Sequence, residues 1–246
     1  MKLLFIRHAQ SIGNQEKRMQ GQADFALSAE GHTQAERLAQ RLLAESWIPT
    51  YVYSSPLKRA AQTAAILINH FQTAPLPAAV SDLIDSADAP PLESGTKPSV
   101  CPPIPLEYAD ELMEFQNGIF AGLTWAEAQQ QYPDLCQQLS ASLDWIQIPG
   151  AEALTTARGR ARQFIQRLLS RHTDSDRLWI VSHSWIMQHL IAELMNCERS
   201  WRLHAKNTAL FEFWLDRNRW YATDENQRFN TELWQIHRFN DCRHLG

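Results

Sequence analysis

Lys2-Leu3-Leu4-Phe5-Ile6-Arg7-His8-Ala9-Gln10-Ser11-Ile12-Gly13-Asn14 begins as an apolar run of strand length and ends abruptly in a guanidinium beside an imidazole. Small residues that can turn follow, carrying hydroxyl and amide donors. The stretch predicts a strand that gives way to a chemistry-bearing loop, not a packing motif. Working outward, Ser28 caps a helical pattern with Ala35, Leu38, Ala39, Leu42 and Leu43 on one face. A second strand-like run, Tyr51-Val52-Tyr53-Ser54, passes at Pro56 into a helix through Ala60, Ala64, Ile66 and Leu67. The same pairing returns late in the chain, where an amphipathic stretch from Glu152 to Arg171 precedes Leu178-Trp179-Ile180-Val181-Ser182 and a helix over Trp185 to Met195. This alternation predicts one α/β domain over 1–246, with three α/β/α layers and a mostly parallel central sheet.

Between the two halves, Asp85 to Pro105 is rich in Pro, Ser, Ala and Asp. Proline fixes φ and removes a backbone donor, so an insertion or lid is expected, reaching over about 85–149. After Asn207, the segments Thr208 to Leu215, Trp220 to Ala222 and Thr231 to Phe239 read as short strands extending or edging the sheet. Trp201, Trp214, Trp220 and Trp234 fall in the last fifth of the chain; they read first as packing under those strands, and otherwise as an aromatic patch for a homodimer contact or a hydrophobic substrate group.

Composition limits the chemistry. At 246 residues, 44% hydrophobic, 20% charged and a formal charge of -4, the chain reads as an ordinary globular protein without the basic face that nucleic acid requires. Cys101, Cys136, Cys197 and Cys242 are far apart and predict reduced thiols. No apolar run approaches ~18 residues and no charged leader precedes a cleavable apolar stretch. A cytoplasmic protein with no membrane partner is the expectation.

In a parallel sheet, ligands sit beyond the carboxyl ends of the strands. Three predicted strands end in Arg7-His8, in Ser54-Ser55-Pro56-Leu57-Lys58-Arg59 and in Ser182-His183. One rim would therefore gather two guanidiniums and two imidazoles, a cluster that needs an anion, and a phosphate fits in both charge and shape. His32, His70, His172, His189, His204, His237 and His244 lack such company and read as surface or packing residues. They show no spacing for a metal site.

Arg7-His8 with Gln10-Ser11 and Asn14, Leu27-Ser28-Ala29-Glu30-Gly31, Ser54 to Ala60 with Gln62-Thr63-Ala64, Leu112-Met113-Glu114 with Gly118, Gly150-Ala151-Glu152, Val181-Ser182-His183, and Asn240-Asp241 with His244-Leu245 occur in one order along nearly the whole chain. This ordered set resembles the histidine phosphatase superfamily, which includes cofactor-dependent phosphoglycerate mutases and many small-molecule phosphatases. The resemblance implies His8 as nucleophile, forming a phosphohistidine that water later hydrolyses. Arg7, Arg59 and His183 would surround the phosphoryl oxygens, Asn14 would add a neutral donor, and Ser11, Gly21, Gln22 and Ser184 would lie near phosphate or substrate. Glu114 takes the position of the acid that protonates the leaving oxygen, with Glu107, Asp110 and Glu111 as neighbouring competitors. No metal or other cofactor is expected, because the arginines and histidines supply the positive field.

Two residues depart from the family pattern beside the imidazoles. Ala9 and Ser184 stand where glycine is usual, and each would be strained if its backbone needed positive φ. Ala121 replaces an acidic residue before Gly122. The expected activity is phosphomonoester hydrolysis. A mutase is the alternative, disfavoured because Gln129 to Ile148 lacks the basic segment of mutases; a catalytically impaired interaction module is the third reading, and the retained site set counts against it.

Overall fold

The computed structural model describes residues 1–73, 102–199, 201–220 and 234–246. Its centre is a six-stranded sheet in the order β3-β2-β4-β1-β5-β6. The strands are β1 (Lys2–Arg7), β2 (Tyr51–Ser54), β3 (Leu106–Tyr108), β4 (Arg177–Ser182), β5 (Leu210–Leu215) and β6 (Trp234–Asp241). Strands β3, β2, β4 and β1 pair in parallel, whereas β5 is antiparallel to both β1 and β6. The chain after Asn207 thus supplies the sheet's far edge, as its turn-separated aromatic segments predict. Of the three segments expected there, 221–233 lie outside the described residues.

Strand alternation decides the layers, because successive side chains point to opposite faces. Leu3, Phe5, Leu178 and Ile180 pack against Phe164, Ile165 and Leu168 of α6 (Leu154–Arg171) and Ile186, Leu190 and Leu194 of α7 (Ser184–Leu194). Leu4, Ile6, Trp179 and Val181 pack on the other side against Leu38 and Leu42 of α2 (Ala29–Ala44) and Ala60, Ala64 and Leu67 of α3 (Lys58–Thr73). The expected α/β/α sandwich is present. Strands covered on both faces are apolar throughout, which is why the opening run carries no polar alternation.

Local chemistry sets the element ends. Ser28 caps α2 through the Gly31 N–H at 3.0 Å. Gly31 is required there, since a Cβ would lie 1.9 Å from the Gln10 carbonyl oxygen, so this helix start presses on the loop after His8. That loop, read from sequence as a turn, contains a one-turn helix α1 (Ile12–Gln15), capped reciprocally by Ser11 and Asn14.

Most of the Pro-rich stretch, 85–101, lies outside the described residues. Within the rest of the expected 85–149 excursion, Leu106–Tyr108 joins the sheet as β3, and α4 (Trp125–Gln131) and α5 (Pro133–Ala141) form a small lobe around buried Phe120, Ala128 and Cys136. The strand is only three residues long and the helices run seven and nine, so their periodicity is too brief to stand out in sequence. Trp220 and Trp234 pack against the main core, while Trp201 is 67% exposed. Among the described residues no helix is long and apolar enough to cross a membrane.

Candidate active site

The carboxyl ends of β1, β2 and β4 converge as the pattern of strand ends predicts. The His8 N–H donates to the Ser182 carbonyl at 2.9 Å, fixing the first imidazole beside the end of β4. The rings of His8 and His183 lie 4.9 Å apart, centroid to centroid. His8 is buried, and its Nδ1 is 2.7 Å from the Ala9 carbonyl oxygen. A carbonyl only accepts, so Nδ1 carries the ring proton and Nε2 keeps its lone pair. Burial, then the charges of Arg59 and Arg7, push His8 well below the ordinary imidazole range. It is neutral at neutral pH.

Arg59, in the first turn of α3, is 1% exposed. It donates to the Gly21 carbonyl at 2.6 Å, to the Ala23 carbonyl at 2.9 Å and through Nε to His183 Nδ1 at 3.2 Å. His183 Nδ1 is therefore an acceptor, and Nε2, 2.8 Å from Ser55 Oγ, is the donor. Burial, followed by Arg59 and His8, holds this ring neutral as well. Arg7 donates to the Ala205 carbonyl, yet its Nε is buried with no hydrogen-bond partner among the described residues. Burial lowers both guanidiniums, Arg59 to about 10, and the nearby Glu114 carboxylate opposes that shift in each. Neither forms an ion pair within 4.0 Å among the described residues. Two buried cations beside two neutral imidazoles leave an excess of positive charge, and an anion would balance it.

Glu114 sits at the amino end of α7. Its carboxylate accepts from the backbone N–H groups of Phe115 at 2.9 Å, Ile186 at 3.1 Å and Trp185 at 3.3 Å. The competing acids turn elsewhere: Glu107 pairs with Arg171 at 2.5 Å and Glu111 with Arg167 at 3.3 Å. The Glu114 loop is held by Arg160, which donates to the carbonyls of Glu111 (2.8 Å) and Met113 (2.6 Å) and pairs with Glu152. Gly118, at φ 58°, closes that loop where a Cβ would meet the Pro149 oxygen at 2.1 Å.

The remaining expected residues are one step removed. Asn14 Oδ1 accepts from Ser11 N at 3.1 Å and Asn207 Nδ2 at 3.3 Å, leaving its NH2 end uncommitted. The Ser11 hydroxyl donates to Gln20 Oε1 at 2.6 Å, so it braces the loop. Gly21, at φ 51°, contributes its carbonyl to Arg59; Gln22 Nε2 donates to the Glu114 carbonyl at 3.1 Å. Ser184 begins α7, half-buried. Neither Ala9 nor Ser184 has positive φ. The expected strain is absent, and the Ala9 methyl packs with Leu27 and Ala35.

A second tier escaped the sequence reading. Asn207 Nδ2 donates to the His8 carbonyl at 3.0 Å, and the Thr208 N–H donates to the Arg7 carbonyl at 3.1 Å. Thr208 has φ 58°, unfavourable for a β-branched residue, and its hydroxyl lies 2.8 Å from Nε2 of His244. Arg160 completes this tier, while Ser55 and Thr63 (2.7 Å to the Arg59 carbonyl), both in the motif run after β2, brace Arg59 and His183. Only the pairing of β5 against β1 reveals Asn207 and Thr208, since they lie some two hundred residues from His8. Among the described residues no group of three or more His, Cys, Asp or Glu side chains is arranged to hold a metal ion.

The family model of the histidine phosphatase superfamily (branch 1) matches residues 3–93 and 96–228. The chain belongs to that superfamily. It is 27% identical over 200 residues to phosphoserine phosphatase 1 of Hydrogenobacter thermophilus, covering 81% of this chain and 79% of that one. It is also 27% identical over 190 residues to phosphoglycerate mutase-like protein 4 of Arabidopsis thaliana, covering 77% and 69%. Among solved structures, Bacillus stearothermophilus YhfR superposes with a TM-score of 0.67 at 21% identity, covering 100% of this chain and 99% of that one, and so shares the fold.

Proposed function

We propose that this protein is a phosphomonoesterase that hydrolyses a small-molecule phosphate ester through a phosphohistidine on His8. The observation that carries the reading is the state of His8: neutral, its Nδ1–H tied to the Ala9 carbonyl so that Nε2 keeps its lone pair, and held so by burial and by the charges of Arg59 and Arg7. Phosphatase names among its relatives support it. Nε2 attacks phosphorus, the P–O bond to the alcohol breaks, and protonated Glu114 gives its proton to the leaving oxygen. Water then attacks phosphorus and yields a proton to the Glu114 carboxylate, while the P–N bond breaks and its electron pair returns to Nε2. Atoms, charge and the histidine tautomer are restored.

Arg7 and Arg59 stabilise the equatorial phosphoryl oxygens, Arg7 through the Nε–H that lacks a partner among the described residues. Asn14 turns its NH2 end to the same oxygens. His183 accepts from Arg59 Nε through Nδ1, and its Nε2–H, 2.8 Å from Ser55 Oγ, is the donor it offers to the phosphoryl oxygens. Gly21 and Ser11 hold the surrounding loops, and Gln22 and Ser184 border the leaving group beside Glu114. The separated thiols of Cys136, Cys197 and Cys242 suit a reducing, cytoplasmic setting.

The test is hydrolysis of p-nitrophenyl phosphate by the full chain in the presence of a chelator, with acid quenching to trap an acid-labile phosphoenzyme. Turnover and trapped phosphate are both expected, and His8→Ala lowers kcat by about 10⁴-fold or more. Release of free phosphate from 3-phosphoglycerate without isomerisation separates the phosphatase from a mutase. No turnover on a broad ester panel, together with no phosphoenzyme, overturns the reading.

A further inference from the structure

Beside Glu114 three aromatic rings from separate segments converge. Phe115, the next residue, is 4% exposed and forms a floor. Trp145, from the loop after α5, meets it edge-on at 5.9 Å between centroids, and Trp185, in the first turn of α7, lies tilted against it at 5.8 Å. The two indoles are 6.1 Å apart and leave 45% and 42% of their surface exposed. Scattered exposed hydrophobics are ordinary on a protein surface, but two tryptophans meeting over one buried ring form a built apolar face.

Its position gives that face a ligand. Trp185 and Phe115 also supply two of the three N–H groups that hold the Glu114 carboxylate. An acid that protonates the leaving oxygen must stand within hydrogen-bond reach of it, so the alcohol half of the substrate lies where these rings flank Glu114. Both indoles also line a cavity of about 450 Å³ on the side away from Glu114 and Phe115, whose other walls include Leu154 and the charged Arg158, Glu198 and Arg202.

We propose that Trp145 and Trp185, floored by Phe115, are the specificity-determining wall for the leaving group, and that the preferred substrates are monoesters of aromatic or bulky apolar alcohols. The proposal rests on the phosphomonoesterase reading. Indoles stack on flat apolar groups with offset or edge-on geometry, and such a group displaces water from surface that glycerol or serine would leave wet. Elsewhere Trp47 and Trp179 are buried, Trp201 is exposed, Trp220 and Trp234 pack against the main core, Trp125 meets Phe120 edge-on at 6.3 Å, and Trp214 stacks on His237 at 3.7 Å.

The experiment compares 1-naphthyl phosphate with glycerol 1-phosphate for the full-length protein and its Trp145→Ala and Trp185→Ala variants, with Trp185→Phe as the ring-retaining control. The ratio of kcat/KM values, naphthyl over glycerol, falls about tenfold in each alanine variant, through KM, and recovers in Trp185→Phe. Calorimetric binding of 1-naphthylmethylphosphonate against methylphosphonate reads the same wall without turnover. A naphthyl preference that persists in an inactive protein keeps the wall and removes the phosphatase. Turnover with a ratio unchanged in both alanine variants, or phosphonates bound without preference, overturns the wall while leaving the phosphatase in place.

Discussion

At the phosphate end, Arg59 is sealed from solvent with three of its donors fixed by the Gly21 and Ala23 carbonyls and His183, and His8 has its backbone clamped on both sides by Ser182 and Asn207. At the leaving-group end, Trp145 and Trp185 stand nearly half exposed on a loop and a helix start. The first region is buried in the rim of a parallel sheet, where an unpaired polar atom is costly, so nearly every donor has a protein acceptor. The second meets solvent, where side chains can differ without disturbing the sheet. On the proposed reading, a fixed phosphate cradle joined to an adaptable alcohol wall lets one fold keep one chemistry while its substrates vary.

Substitutions can break this division. Glu114→Gln removes the transferable proton at the junction of the two ends. An alkyl ester, whose alkoxide leaves poorly, loses about a thousandfold in kcat, whereas p-nitrophenyl phosphate loses far less because its phenolate leaves without a proton. Steady-state kinetics on the pair reads that split; equal losses on both esters would make Glu114 a purely structural cap of α7. Arg59→Lys tests the cradle alone. A lysine has no planar fork and cannot serve Gly21, Ala23, His183 and an anion together, so kcat/KM falls about a hundredfold on both esters, with no change in their ratio.

Acid titration gives a smaller effect confined to the buried end. Burial lowers His8 and His183, so below about pH 6.5 the unfolded chain binds protons that the folded chain refuses. Stability is full above that pH and falls as pH drops below it, by up to about 1.4 kcal/mol per pH unit for each ring. His172, His189 and His244 shift in the same direction, so the informative measurement is the slope of Tm between pH 6.5 and 5.5, which is shallower in His8→Ala than in the parent. The same shift keeps His8 neutral through that range. The smallest expected effect is that of His244→Ala, which removes one of the two partners of the Thr208 hydroxyl and leaves its bond to the Asn207 carbonyl; denaturant unfolding should register a loss of about 1 kcal/mol.

The strand ends of β1, β2 and β4 were legible because each apolar run stops at its chemistry, and parallel strands bring such stops to one rim. Ser28 was legible as a helix cap, and Gly31 and Gly118 only as members of the ordered motif set. The short β3, α4 and α5 were not, because three to nine residues carry too little period. Asn207, Thr208 and Arg160 were not, because nothing local in an asparagine, a threonine or a helix arginine says whose carbonyl it will hold.

Sequence by itself determined the layered fold, its family and the residue types on the rim, since these follow from local periodicity and from the order of motifs. Tertiary structure decided that the Glu114 carboxylate lies near Arg7 and Arg59 while Glu107 and Glu111 pair with helix arginines, which nitrogen of His8 carries the proton, and that Ala9 and Ser184 need no positive φ. It alone set Trp145 and Trp185 over Phe115. Those outcomes depend on distances between groups far apart in the chain, and such distances exist only once the sheet has its register and the helices have packed upon it.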